Sequence, residues 1–238
     1  MLNAYLAATS NLLQNPAAPT SLYSTANLTT YINSARGQLA AESESIRAFG
    51  TFTLVPATQS YNFPAITLAA SGGVQGVLNV RAAWLVNGTG QIYLQPEAFE
   101  TFSLYELNAA TVLSGIPTKW SQYAQGVNGS VFFSPVPAVA GTVVMDCVCY
   151  PIPLVSDATV EAIPYLWTDA VPYFAAYLAL LSAQTGVRTQ EADAMLKRYT
   201  EFVNRARRGA TPSTLPWLFE QTQVPGGITP QPQQQRPG

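Results

Sequence analysis

The apolar positions of this 238-residue chain change period twice, from helical to alternating and back. Leu2–Gln14 carries a short apolar stripe that stops before Pro16 and Pro19, which predicts a first helix and then a loop. Ser24 or Thr25 is placed to cap a second helix of about six turns running to Ala48. Leu28, Ile32, Ala35, Leu39 and Ile46 step by 4, 3, 4 and 7 and mark its buried face. Glu44 and Arg47 are spaced to pair at i,i+3 on the wet side, and Gly37 is either a weak point or a place of close helix approach.

The period then alternates. Thr51–Val55, Ser60–Leu68 and Val74–Val86 read as strands, the last interrupted by Gly76. Asn87-Gly88-Thr89-Gly90 predicts a turn into Gln91–Leu94, and Glu97–Asn108 fits a short helix or a loop. Lys119–Ala124 and Val131–Ser134 flank an Asn128-Gly129 turn, and Pro135–Gly141 turns the chain into Thr142–Tyr150. In that last strand Val143, Met145, Cys147 and Cys149 face one way, and Val144, Asp146, Val148 and Tyr150 the other. Both faces are largely apolar, which predicts a central strand between two packed layers.

Helical character returns at Val160, with Pro164 in a first-turn position and Asp169 placed to cap a continuation that Pro172 would kink. Tyr173–Ala183 is apolar all round, hence buried, and Gly186 ends it. Thr189 is placed to cap a final helix to Arg208. Its buried stripe is Ala192, Leu196, Tyr199, Val203 and Ala206, and Lys197, Glu201 and Arg205 form an i,i+4 ladder. From Thr211 proline, glutamine and glycine dominate, and Leu215-Pro216-Trp217-Leu218-Phe219 is an apolar knot within that tail. Such a knot suits either partner docking or packing on its own subunit.

Composition changes the picture in one respect. The chain is 48% hydrophobic but only 10% charged, against the usual ~25%. A surface so poor in charge is expected to be covered in part by other subunits. The formal net charge of −2 gives no basic field for sequence-specific DNA binding. The first residues lack a basic n-region, so no signal peptide is expected, and the richest apolar run, Val171–Leu181, is too short to span a membrane.

The candidate chemistry is thin. Histidine is absent, which excludes Ser-His-Asp and Cys-His catalysis and His-ligated metals. Lys119 and Lys197 are the only lysines. Cys147 and Cys149 lie two apart on one strand face and read as reduced core thiols, in keeping with a reducing cytoplasm. Asp146 is the one acid in a core strand; it is either a carboxyl of raised pKa or the partner of an arginine such as Arg81. Glu97, Glu100 and Glu106 form a possible carboxylate cluster or a solvated face. Arg205, Arg207 and Arg208 complement a helix C-terminus, and three together also suit an acidic partner surface or DNA phosphates. No P-loop, dinucleotide, nucleophile-elbow or EF-hand pattern occurs, and no cofactor is expected.

The order of elements, together with Leu28–Arg36 (LTTYINSAR), Thr51–Leu68, Pro117–Pro137 (PTKWSQYAQGVNGSVFFSPVP), Asp146–Pro151 and Ile163-Pro164 leading into Tyr173–Tyr177, resembles the head-to-tail adaptor (connector) proteins of tailed bacteriophages, the short-tailed podovirus type. The likeness covers about Ala26 to Arg208. It implies a non-catalytic homo-oligomeric ring, a dodecamer, docked under the portal protein in the virion neck and assembled in the host cytoplasm. Double-stranded DNA would pass through its lumen without sequence-specific binding, and no membrane is involved. Arg205, Arg207, Arg208, Leu215, Trp217, Leu218 and Phe219 would dock on portal. The turns at Asn87, Gly88, Asn128 and Gly129 would face a downstream tail or nozzle protein.

The expected fold class is α+β. Residues 1–48 supply the N-terminal helices of a bundle of about four. Residues 49–155 form an inserted antiparallel β-sandwich or barrel, 156–209 complete the bundle, and 210–238 form an extended docking tail. The competing readings are another virion structural subunit (tail tube, decoration or receptor-binding protein), and a hydrolase built on Asp146 or on Glu97–Glu106.

Overall fold

The computed structural model describes residues 1–16, 20–69, 72–87, 90–107, 113–182 and 189–210. The fold is α+β, as the two changes of period predict. The helices are α1 (Leu2–Leu12), α2 (Thr25–Ser43), α3 (Phe99–Phe102, continued by a π turn over Ser103–Leu107), α4 (Ala170–Ser182) and α5 (Thr189–Ala210). The strands are β1 (Arg47–Leu54), β2 (Ser60–Asn62), β3 (Thr67–Leu68), β4 (Val74–Asn87), β5 (Gly90–Pro96), β6 (Ser114–Gly115), β7 (Lys119–Tyr123), β8 (Ser130–Ser134), β9 (Val136–Pro137) and β10 (Gly141–Pro151).

Ser24 caps α2, its hydroxyl accepting the Asn27 amide at 3.2 Å. Leu28, Ile32, Ala35 and Leu39 are buried as their spacing requires. The helix stops five residues before the predicted Ala48, because Glu44 turns left-handed (φ 52°) and Ser43 bonds back to the Leu39 carbonyl. Residues from Arg47 onward pair with β10 instead, a tertiary gain that overrides local periodicity. Ile46 stays in the core from this new position. Glu44 and Arg47 therefore do not pair with each other: Glu44 meets Arg81 at 3.4 Å and Arg47 meets Asp146.

Gly37 does not mark a close helix approach, since a Cβ placed there meets no atom within 4 Å. Gly37→Ala is therefore expected to stabilise the protein by about 0.5–1 kcal/mol through helix propensity alone. A denaturant midpoint that falls or stays put would contradict this.

Among the described residues the main sheet has eight strands in the order β2-β8-β7-β5-β4-β10-β1-β3. All pairings are antiparallel except β5 with β7, a departure from the all-antiparallel expectation; a separate parallel pair joins β6 and β9. β10 is central, as its two apolar faces predict, and carries β1 and β4 on its flanks. The predicted strand Ser60–Leu68 is broken by a 3-10 turn at Phe63–Ala65, where Pro64 cannot donate to a ladder. Its two halves, β2 and β3, form the opposite edges of the sheet. The sheet curls so that Phe52 of β1 faces Phe133 of β8 at 5.6 Å and Tyr61 of β2 at 4.8 Å. The Asn128-Gly129 connection contains a 3-10 turn over Gly126–Asn128, and Gly126, not Gly129, takes the positive φ.

α4 packs on α1, α2 and α5, and α2 packs on β10, so helices and sheet share one core. The helix predicted from Val160 forms only a 3-10 turn, Tyr165–Trp167, before α4 begins at Ala170. Pro172 lies in the first turn of α4, where it opens the helix rather than bending one. Gly186 lies outside the described residues. On α5, Ala192, Tyr199, Val203 and Ala206 are buried and Leu196 is half-buried, but Glu201 pairs with Arg198 at 2.6 Å rather than completing the predicted ladder.

Cys147 and Cys149 are free thiols with no exposure. Burial pushes Cys147 up to about 12 and Cys149 up to about 11. Both are expected to resist alkylation at neutral pH in the folded protein and to react in denaturant. Rapid modification of either thiol without unfolding would show that β10 is accessible.

Candidate functional site

Two polar clusters tie distant segments of the chain together. In the first, Arg36 lies on the buried face of α2 with no solvent exposure. Its Nε and Nη2 donate to the Glu161 carboxylate, at 2.7 Å for the shortest contact, and its Nη1 donates to the Ile152 carbonyl at 2.7 Å. One turn earlier, Asn33 brackets Leu154: its Oδ1 accepts the Leu154 amide at 2.7 Å and its Nδ2 donates to the Leu154 carbonyl at 3.0 Å. Glu161 also accepts the Ile163 amide. Together these side chains clamp the segment that leaves β10 onto α2. Tyr5 adjoins them, and burial followed by the Glu161 charge pushes its hydroxyl above the usual tyrosine range.

In the second cluster Lys119 of β7 bridges Glu97 at 3.2 Å and Glu106 at 3.3 Å, the two ends of the α3 segment. Ser134 donates to Glu106 at 2.5 Å, which, ahead of Lys119, holds that carboxyl below the usual range. Glu97 and Glu106 thus anchor the two ends of the α3 segment to β7, while Glu100 is exposed. Asp146 is taken by Arg47, not Arg81 as expected; the Arg47 Nε donates to it at 3.0 Å.

These pairings leave little unmatched charge on the β region. Arg47 is matched with Asp146, Arg81 with Glu44, and Lys119 with both glutamates; Glu100 is the remaining charged residue between 47 and 155. What that region exposes instead is apolar: Phe49, Tyr105, Ile116, Tyr123, Val127 and Val139 are each more than half exposed. A cleft of about 80 Å³ lies among Leu54, Leu85, Ile116, Pro117 and Val139. Such a surface can do little chemically, but it suits dry contact with protein.

The predicted docking residues are placed unevenly. Arg205, Arg207 and Arg208 are exposed at the end of α5. Arg207 is committed within the chain, its Nε donating to the Glu42 carbonyl at the C-terminus of α2. Leu215, Trp217, Leu218 and Phe219 lie outside the described residues, as does Gly88. Asn87 ends β4, paired with Gly90, while Asn128 is exposed and Gly129 buried on another connection of the same curled sheet. Among the described residues no hydrogen bond or ion pair joins Arg205, Arg207 or Arg208 to Asn128 or Gly129.

Sequence reasoning missed the Arg36–Glu161 pair. Its signal was an arginine at the i+4 position from Ile32, inside the apolar stripe, where a charge needs a buried partner.

The family model described as SU10 adaptor protein matches residues 4–216. The chain belongs to the SU10 adaptor protein family. The match runs from the first turn of α1 through the whole sheet and past the end of α5. This is a family of structural phage adaptors, so the chain is a virion component that associates with other phage components. No curated protein matches the chain in sequence. Among the described residues no helix is long and apolar enough to cross a membrane.

Proposed function

We propose that this adaptor is the non-catalytic head-to-tail ring of a short-tailed phage, bridging the portal to the tail and lining part of the DNA channel. The observation that carries the reading is the charge-poor, apolar and aromatic surface of residues 47–155, which favours burial against other proteins. Residues 1–48 and 156–209 are the helical frame of each subunit in this proposal, and 49–155 the unit that meets the tail. Asn87, Gly88, Asn128 and Gly129 lie on the tail-facing side. Arg205 and Arg208, with Leu215, Trp217, Leu218 and Phe219, dock on portal, and Arg207 supports them from its contact with α2. The ring is dodecameric by analogy with the connector proteins that the sequence resembles, and near-neutral charge would let DNA slide rather than be gripped.

Mixing the purified protein with portal is expected to add a ring of density beneath the portal in electron micrographs. An unchanged portal outline, or a free symmetric trimer that binds host cells, would overturn the reading in favour of another virion subunit.

A further inference from the structure

β10 covers one side of β4 along its length, but β5 covers the other side only from Ala83 onward. Further back, Gln122 caps the open flank, its Oε1 accepting the Val80 amide at 2.9 Å. Beyond that lies a groove of about 500 Å³, between the start of β4 and the turns Phe63–Ala65 and Gly126–Asn128. Phe63, Pro64, Val127 and Tyr150 give it aromatic and apolar walls, and Gln75 and Gln125 add side-chain amides. No lining residue is charged. Val127, on the rim, is 78% exposed.

The groove's chemistry narrows its occupant. Aromatic and proline walls suit a polyproline II segment, whose backbone carbonyls are left free to accept from side-chain amides. An ionised occupant would lose hydration there and find no counter-charge. The chain itself carries a segment of this kind. Gln221–Gln235 contains Pro225, Pro230 and Pro232 among glutamines and has no charged residue. It lies beyond the family match, which ends at residue 216.

The point at which the described chain ends agrees. α5 closes at Ala210, and a Cβ on Gly209 would touch the Trp167 ring at 3.4 Å. The segment leading to Trp167 lies over Gly73, whose Cβ position is 3.1 Å from the Ala162 nitrogen. Gly73 is two residues from Gln75 in the groove wall. Trp167 and residues 160–162 thus connect the end of α5 at Gly209 to the start of β4 by contact. Residues 211–220 can span up to ~33 Å before Gln221 is reached.

We infer that Gln221–Gln235 seats in the groove of its own chain and covers the open flank of β4. The inference does not depend on the ring reading, and portal docking of the variants below tests that reading separately. Hydrogen exchange is measured on the full-length protein and on a full-length variant with 221–235 replaced by glycine and serine of equal length. Amides of Gly76, Val77, Gly126 and Val127 are expected to exchange roughly tenfold faster in the replaced chain. Reciprocally, Val127→Glu is expected to speed exchange within 221–235 by a similar factor, while amides of the central strand around Met145 keep their protection and report an intact fold. Unchanged exchange in both variants overturns the inference. Protection that fades on dilution assigns the segment to another copy's groove and overturns the same-chain placement.

Discussion

Arg36→Ala is expected to destabilise the protein by roughly 3–5 kcal/mol, the cost of leaving a buried charge without its partner. The guanidinium has no solvent exposure and Glu161 little, so water cannot replace what is lost. Its removal leaves the Glu161 carboxylate facing the Tyr5 hydroxyl and the core, and it frees the Ile152 carbonyl. The loss is also topological. Residues 152–163 are the return path from β10 to α4, and Arg36 and Asn33 hold that path on α2 at three points. Glu161→Gln keeps the shape but removes the charge, and should cost nearly as much. The double substitution Arg36→Met with Glu161→Leu should recover much of the loss, since apolar pairs of similar volume replace buried ion pairs well. Urea denaturation of the four proteins checks this. A loss under about 1 kcal/mol for Arg36→Ala would place the pair among solvent-screened surface bridges.

That latch also marks the limit of what the sequence made legible. The helices were readable because Leu28, Ile32, Ala35 and Leu39, and Ala192, Tyr199, Val203 and Ala206, repeat at a helical spacing. β10 was readable as central because both of its faces are apolar. The errors cluster where a distant strand competes with a local pattern. Ile46 fitted the stripe of α2 by spacing, yet the ladder between β1 and β10 claims its neighbours. The partner of Arg47 was misassigned for the same reason: its ion pair with Asp146 follows the register of β1 on β10, about a hundred residues away. Pro64 was visible, but that it would send β2 and β3 to opposite edges of the sheet depended on how far the sheet curls. The candidate docking surface was legible only as a deficit of charge in the composition. Where that deficit lies emerges from the pairing of Arg47, Arg81 and Lys119, which matches most of the little charge the β region has.

Gly129→Ala carries the other large expected effect, and it runs opposite in sign to Gly37→Ala. Gly129 needs no special backbone angle, since its φ is −68°. What it needs is space. A Cβ there would lie 2.4 Å from two ring carbons of Phe63, a distance at which something must move. Phe63 is 2% exposed, and its amide donates to the Gly129 carbonyl at 2.9 Å, so the ring cannot retreat without breaking the contact that joins the two turns. Overpacking of this kind costs about 1–3 kcal/mol. The double variant Gly129→Ala with Phe63→Leu should be less destabilised than the sum of its parts, because the smaller side chain relieves the clash. Strict additivity, or a single substitution that costs under about 0.5 kcal/mol, would mean that the turn shifts freely and that Gly129 is not a packing requirement. Phe63 is also a wall of the groove beside β4, so a displaced ring should alter that groove even where the fold survives. The same methyl group is thus harmless on the open side of α2 and costly beneath the Gly126–Asn128 turn. The difference is set by the neighbouring atoms, not by any property of glycine.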